Sequence, residues 1–292
     1  MPGMGAESFF LPTTLEEALK LKASFGKGAV LIAGGTDLVI KMRQGQASPD
    51  VIIQLPRDLS VSAVEESEGK VRLSALATLS ELVQDPVLSN RLPLIPMALG
   101  KIGSPQIRNI STLGGNLVNA CPACDSAPAL MVYDATATLQ TTDSTRNVPV
   151  DEFFLGPGAT VVRPDEILVS VEAEVPPTGD LVRFRKYGPR GSNVIASANF
   201  AARIRIEHGE ITLARLAAGS VAPVPVRMHR IEHLLVGRAA AEVSSSEFLA
   251  EVSALLEKEI APISDVRGTQ WYKRRVIELS LTHLMTEVAE RG

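Results

Sequence analysis

Two glycine pairs are the residues in this sequence best suited to chemistry. Residues 30–38 read VLIAGGTDL and residues 109–117 read NISTLGGNL. In each, a short apolar or β-branched run ends on Gly-Gly, followed by a small polar residue and a leucine. Glycine permits positive φ and lets another group come within contact distance of the main chain. Successive N–H groups in such a turn form a concave nest that binds an anion without any side-chain charge. One nest holds one phosphate. Two nests on neighbouring strand ends would clasp both halves of a pyrophosphate, with Thr36, Thr112 and Asn116 as further donors, and Gly35 and Gly114 are expected to approach the phosphate most closely. The plain alternative is a pair of tight strand-to-helix turns. Neither loop fits the Rossmann fingerprint. Gly156-Pro157-Gly158 begins like one but has Val161 where the third glycine belongs, and no P-loop lysine is present. Dinucleotide chemistry is offered here without a Rossmann motif.

Other chemistry-bearing residues carry less. Cys121-Pro122-Ala123-Cys124 has metal-ligand spacing, but a tetrahedral site takes about four ligands and the chain holds 2 cysteines, so the pair reads as two free thiols. His229-Arg230-Ile231-Glu232-His233 fits the HxxEH pattern, which on a helix puts both histidines on one face. With no supporting context, no metal is expected there. No Ser/His/Asp or paired-carboxylate constellation stands out.

The elements that must position these residues follow from pattern. Pro12 through Ala18 reads as a turn and a helix capped by Thr13 or Thr14, with carboxylates in its first turn. Strands follow at 29–32 and 51–55, giving a β-α-β rhythm over the first sixty or so residues. Next come a strand at 70–74, a helix near 80–83, the apolar run 94–99 and a strand at 135–142. Val175-Pro176-Pro177-Thr178-Gly179-Asp180 is the clearest domain boundary. Beyond it lie strands near 194–206 and 211–218 and helices near 245–259 and 270–290, the last with an apolar stripe at helical spacing. Hydrophobic residues are 45% and charged residues 21% of a 292-residue chain, which excludes wholesale disorder and points to two or three compact units. The net charge of −4 argues against an electrostatic grip on nucleic acid. The densest basic cluster, Lys273-Arg274-Arg275, reads as the solvated face of a helix. No run is long enough for a membrane span, and MPGMGAESFF lacks a signal pattern, so a cytoplasmic location is expected.

The stretches AGGTDL and NISTLGGNLVNACPACDSAPALMVYDATATL resemble the FAD-binding medium subunits of molybdenum hydroxylases, the group that includes the flavin subunits of carbon monoxide dehydrogenase and the flavin domain of xanthine dehydrogenase. The resemblance continues through PTTLEEAL, DEFFLGPGATVVRPDEILVSVEAEVP and RFRKYGPRGSNVIASANFAARI. It implies an α+β chain of the vanillyl-alcohol-oxidase/PCMH-type FAD-binding fold. Two α/β subdomains, 1–60 and 61–176, would hold FAD between them, followed by a C-terminal α/β domain over 177–292. Leu31, Ile32, Ala33, Gly34, Gly35, Thr36, Asp37 and Leu38 would form the first pyrophosphate loop, and Thr112, Leu113, Gly114, Gly115 and Asn116 the second. Asp125 would hydrogen-bond the flavin side, Ile102 and Leu168 would flank the isoalloxazine ring, and Lys186 would sit at its edge. A cation there suits a reduced flavin that can be anionic. Tyr187 would gate the ring face or simply pack. Cys121 and Cys124 would lie beside the flavin; the four-cysteine cluster loop of the related hydroxybenzoyl-CoA reductases has no counterpart here. Many relatives carry an acidic pair where this chain has Ser192-Asn193, so the resemblance does not by itself imply the nicotinamide-binding detail of the dehydrogenase branch, and NAD, quinone and oxygen all stay open as acceptors.

The resemblance implies an electron-transfer subunit with non-covalent FAD. A small subunit with [2Fe–2S] clusters and a large subunit with the molybdenum cofactor would be its partners, as a dimer of heterotrimers. The FAD would pass electrons from those clusters to an external acceptor. A self-contained FAD oxidoreductase of the same superfold is the alternative, and a non-catalytic protein that has lost flavin is a third reading, which the intact glycine loops oppose.

Overall fold

In the computed structural model, which describes residues 8–57, 61–190 and 193–292, three sheets divide the chain. Ser192 of the departing Ser192-Asn193 pair lies outside the described residues. The first sheet is wholly parallel, in the order β1 (Ser8–Phe10), β3 (Val51–Gln54), β2 (Ala29–Ile32). Helices α1 (Leu15–Phe25) and α2 (Leu38–Arg43) make the crossovers that parallel strands require. Thr14 is the α1 cap, accepting from the Glu17 N–H at 3.1 Å, while Glu17 reaches back to the Thr13 N–H at 2.7 Å.

The second sheet is antiparallel: β4 (Val64–Ser67), β5 (Lys70–Ser74), β10 (Ile167–Glu174), β6 (Thr136–Gln140) and β7 (Thr145–Pro149), in that order. Between β5 and β6 the chain winds six short helices: α3 (Leu79–Gln84), α4 (Pro86–Arg91), α5 (Leu94–Leu99), α6 (Pro105–Arg108), α7 (Leu113–Val118) and α8 (Ser126–Met131). A small hairpin, β8 (Phe154–Gly156) with β9 (Ala159–Thr160), precedes β10. The central strand serves two cores. Leu168, Val171 and Ala173 pack under the helices, whereas Ile167 and Val169 pack with Ala18, Leu19, Leu31 and Leu55 of the parallel unit. An irregularity between Leu168 and Ser170 in the pairing with β6 breaks strict alternation and keeps Leu168 on the helical face.

The third sheet is an antiparallel meander, β11 (Leu181–Tyr187), β12 (Ala198–Glu207), β13 (Glu210–Gly219) and β14 (Val226–Arg227). Helices α9 (His229–Leu235), α10 (Ser246–Glu259) and α11 (Gln270–Arg291) complete its core. The stripe on α11 is Val276, Ile277, Ser280, Leu281, Leu284, Met285 and Val288. It corrects the reading of the basic cluster. Lys273 lies three positions before Val276, on the same side. It is 1% exposed and donates to Asp265 Oδ2 at 2.9 Å, while Arg274 and Arg275 pair with Glu257 and Glu278.

Charge joins the third sheet to the second. Asp180, in the loop before β11, takes Arg203 Nε at 2.7 Å and Arg205 Nε at 2.8 Å, and Arg203 also reaches the Val132 carbonyl. Burial pushes the Asp180 carboxyl up, but the hydrogen bonds from Arg205 and Arg203 outweigh it and hold the group below its ordinary range. A depressed carboxyl contributes stability that is present above its unfolded pKa, about 3.9, and is lost as pH falls through the lower folded value. Asp180→Asn should therefore cost about 3 kcal/mol at pH 7, because Arg203 is left buried and uncompensated. Urea unfolding at pH 7 and near pH 3 checks this: the gap between wild type and variant should shrink at the lower pH.

Candidate functional site

The first glycine pair follows β2 and leads into α2. Gly35 takes φ +69°, the left-handed region that a side chain rarely adopts. Among the described residues, the N–H groups of Gly34, Gly35, Thr36 and Asp37 donate to no protein acceptor, and Asp37 makes no side-chain cap to α2. A left-handed glycine among unpaired N–H groups is compatible with the nest expected from the sequence. The turn opens into a cleft of about 310 Å³ whose lining also includes Ser111, Thr112, Gly115 and Asn116.

The second pair is built differently. It does not end a strand. Thr112 caps α7, its Oγ1 accepting from the Gly115 N–H at 3.1 Å, so both glycines fall in the first helical turn. The Leu113 and Gly114 N–H groups donate to the Ala77 and Ala75 carbonyls at 3.1 and 2.8 Å. Those donors are committed, and no nest forms. A Cβ on Gly114 would stand 2.9 Å from both Ala75 Cβ and Ala75 O, so this glycine serves packing against the end of β5 and not approach to phosphate. Leu113 is buried in the core. Gly115 is the bare one: an added Cβ would meet Thr112 Oγ1 at 3.0 Å and nothing else within 4 Å.

The two segments touch. A Cβ on Gly34 would fall 1.8 Å from the Ile110 carbonyl oxygen, an overlap that no side chain can survive. Glycine at 34 is thus a condition for bringing the nest against residues 110–116. Inside the cleft Ser111 Oγ is buried without a hydrogen-bond partner. Asn116 Oδ1 accepts from Ser126 Oγ at 2.6 Å and from Cys124 Sγ at 3.2 Å, which leaves its amide nitrogen as the available donor. Lys41 on α2 brings a cation, its Nζ donating to Asn119 Oδ1 at 2.7 Å. Free amides, an orphaned hydroxyl, an amide donor and an ammonium suit a diphosphate, the acceptor-rich link of a dinucleotide. Neither Lys41 nor Ser111 was legible in the sequence. A basic residue in the last turn of a short helix reads as dipole compensation, and a serine before a cap reads as loop.

Residues 100–108 connect this cleft to a second cavity of about 880 Å³. Ile102 and Ile107 line the first, while Lys101, Gly103, Ser104 and Arg108 line the second with Arg185, Lys186, Tyr187, Arg190 and Tyr272. No carboxylate is among the described residues lining this second cavity. Lys186 is not a surface lysine: its side chain is 9% exposed, and Nζ donates to Asp125 Oδ2 at 2.5 Å and to the Lys101 carbonyl at 2.9 Å. Burial pushes the Asp125 carboxyl up, against the lowering effect of Lys186 and of Asn199, which donates to Asp125 Oδ1 at 2.8 Å. Leu168 lines neither cavity, because the β10 irregularity turns it into the core. Tyr187 packs against the third core and shares a hydrogen bond with Ser280 at 2.7 Å. The Cys124 thiol is pushed up to about 11 by burial, leaving an inert, protonated sulfur against Asn116. In the HxxEH segment, Glu232 is buried and taken by Arg227 and the Leu216 N–H, both at 2.7 Å. That carboxylate works as a structural anchor.

A cleft lined by free main-chain amides between a parallel βαβ unit and a helix-rich antiparallel unit, followed by a meander domain, is the architecture of an FAD-binding protein of the vanillyl-alcohol-oxidase/PCMH type. Residues 5–177 match the family described as FAD binding domain in molybdopterin dehydrogenase, and residues 183–288 match the CO dehydrogenase flavoprotein C-terminal domain. The xanthine dehydrogenase FAD-binding subunit of Escherichia coli O157:H7 is 29% identical, over 98% of this chain and 97% of its own length. The carbon monoxide dehydrogenase medium chain of Hydrogenophaga pseudoflava is 28% identical over 91% of each. The solved structure of reconstituted CO dehydrogenase from Oligotropha carboxidovorans superposes with a TM-score of 0.90 at 27% identity, covering 99% of both chains. The chain belongs to the FAD-binding family of the molybdopterin dehydrogenases and is an oxidoreductase flavin subunit of that family.

Substitutions separate the glycines. Gly115→Ala should lower FAD occupancy several-fold with a smaller change in Tm, since apart from the 3.0 Å contact with Thr112 Oγ1 the added methyl meets only the cleft. Gly34→Ala should lower both, because the two segments must part. Gly114→Val should act first on stability, by about 1–3 kcal/mol as an overpacked core site. Flavin absorbance per chain and thermal unfolding of the three variants check this order.

Proposed function

We propose that this chain is the electron-relaying middle subunit of a three-subunit molybdenum hydroxylase in the cytoplasm. Its FAD would sit between subdomains 1–60 and 61–176, with 177–292 closing the ring end. The observation that carries the reading is the pairing of two cavities through one segment, residues 100–108: an anion nest opens into one, and the buried Lys186–Asp125 pair borders the other. A dinucleotide anchored in the first by Gly34–Asp37, Ser111, Gly115, Asn116 and Lys41 reaches the second past Ile102. FAD, when bound, supplies the electron chemistry.

The chain's own residues do the rest. The nest amides and Lys41 hold the diphosphate. Ile102 offers an apolar edge to the ring. Lys186 presents an ammonium where negative charge accumulates on reduction, and Asp125 keeps that ammonium in place. Lys101, Arg108, Arg185 and Arg190 give the second cavity a positive field that draws in an anionic electron acceptor. The small [2Fe–2S] subunit and the large molybdenum-cofactor subunit would be the electron source, in a dimer of heterotrimers. The names of the relatives support the existence of partner subunits, since they are FAD-binding subunits and medium chains of xanthine and carbon monoxide dehydrogenases.

The purified chain should bind one FAD, released entirely into the supernatant by acid precipitation. Colour in the pellet, or FMN in the extract, would contradict this. The chain alone should oxidise no organic substrate, and flavin reduction by substrate should appear only when both partner subunits are added. Unaided turnover of an aldehyde, purine, CoA thioester or carbon monoxide would replace the relay reading with that of a self-contained oxidoreductase.

A further inference from the structure

We propose that Asn199 is a positioning residue for the flavin: it holds the Asp125 carboxylate against Lys186 and so sets how much uncompensated positive charge meets the ring edge. The inference rests on the reading of Lys186 as a ring-edge residue.

The geometry is a row across three strands. Lys186 on β11 is the register partner of Asn199 on β12, and Asn199 is the partner of Gly219 on β13. Residues directly opposite on paired strands share a face. Asp125, at the start of α8, is held by the first two members of this row. The two oxygens of its carboxylate are divided, Oδ1 to Asn199 at 2.8 Å and Oδ2 to Lys186 at 2.5 Å.

Asn199 is 0% exposed, and its Nδ2 also donates to the Cys124 carbonyl at 3.2 Å. Turning the amide over would set its oxygen against a carboxylate and a carbonyl, two acceptors, so its orientation is determined. The cost is visible: Asn199 Oδ1 is buried with no hydrogen-bond partner. A leucine of similar volume would avoid that cost of about 1–3 kcal/mol, but would leave Asp125 Oδ1 and the Cys124 carbonyl without their buried donor. The amide is therefore kept for what its donors do to Asp125, at the expense of its own oxygen. Gly219 makes the space, since a Cβ there would lie 2.5 Å from Asn199 Oδ1. Without the Asn199 donor, the buried Asp125 carboxylate loses one of its two stabilising partners and takes up a proton more readily. The Lys186 charge is then less neutralised, and the more negative, reduced flavin is favoured.

The test is the midpoint potential of FAD in the full-length holo-chain, measured against a redox dye. Asn199→Leu should keep stoichiometric FAD and raise the potential by about 30 mV, a tenfold gain in the reduced-to-oxidised ratio for two electrons. Gly219→Ala, which displaces the Asn199 amide without removing it, should shift the potential in the same direction, and it carries the test if Asn199→Leu does not fold. In an Asp125→Asn background, adding Asn199→Leu should move the potential no further. An unchanged potential with FAD bound, or equal shifts with and without the Asp125 carboxylate, overturns the inference. A wild-type chain without FAD instead overturns the cleft assignment beneath it. A purely structural Asn199 would change Tm and leave the potential where it was.

Discussion

One contact between two stretches of bare main chain sets the geometry of the whole site. At Gly34 the backbone runs so close to the Ile110 carbonyl that no side chain fits between them. This contact closes the parallel unit onto the helical one. It brings four unpaired amides opposite Ser111, Gly115 and Asn116. The rest of the second segment is organised to hold its side of the contact. Thr112 caps α7, and residues 75–79 clamp residues 111–114 through the hydrogen bonds of Leu79, Leu113 and Gly114. A wider gap here would separate the donors that face one another across the cleft; a glycine elsewhere in the turn would not compensate.

The second requirement is that the cavity beside Lys186 be as rigid as the cleft beside Gly34, and this falls to residues 121–134. Their carbonyls and carboxylates take the donors of the third sheet. Pro122 O accepts from the Ser220 N–H at 2.7 Å, Met131 O from Arg227 at 3.1 Å, and Asp134 from both Arg215 and Arg227. Burial pushes Asp134 up, yet the arginines outweigh it and keep the carboxyl below its usual range. An interface fixed by directional charge-assisted bonds leaves little freedom to slide. Lys186, Asn199 and Asp125 are contributed by both sides of it, so their spacing is only as good as this docking.

Much of the fold was legible. A cap at Thr13 or Thr14, the β-α-β rhythm, the strands near 194–206 and 211–218 and the stripe on α11 all follow from local pattern, because the residues that signal each element also stabilise it. The strand Leu181–Tyr187 was not read from the sequence. Nor was the role of the second glycine pair. In NISTLGGNL the β-branched residues suggest a strand, but Thr112 captures the Gly115 N–H and Ala75 the Gly114 N–H, so the chain turns into a helix. Leu168 fits an alternating strand on paper, and an irregularity of pairing alone turns it inward. Lys273 looks like one of three surface cations until Asp265, eight residues away, takes it into the core.

By itself the sequence determined the chemistry available: a Gly-Gly turn able to form a nest, a lysine and an aspartate in spaced motifs, and no metal-ligand set around the two cysteines. These are properties of residue type and short spacing, and such properties survive without coordinates. Tertiary structure decided which groups meet. That Gly34 fits against Ile110, that Ser111 is left without a partner in the cleft, and that Lys186, Asn199 and Gly219 stand in one row beneath Asp125 are all consequences of contacts between segments distant in the chain. Such contacts are set by register and docking between separate sheets, and no local pattern in a single sequence encodes them.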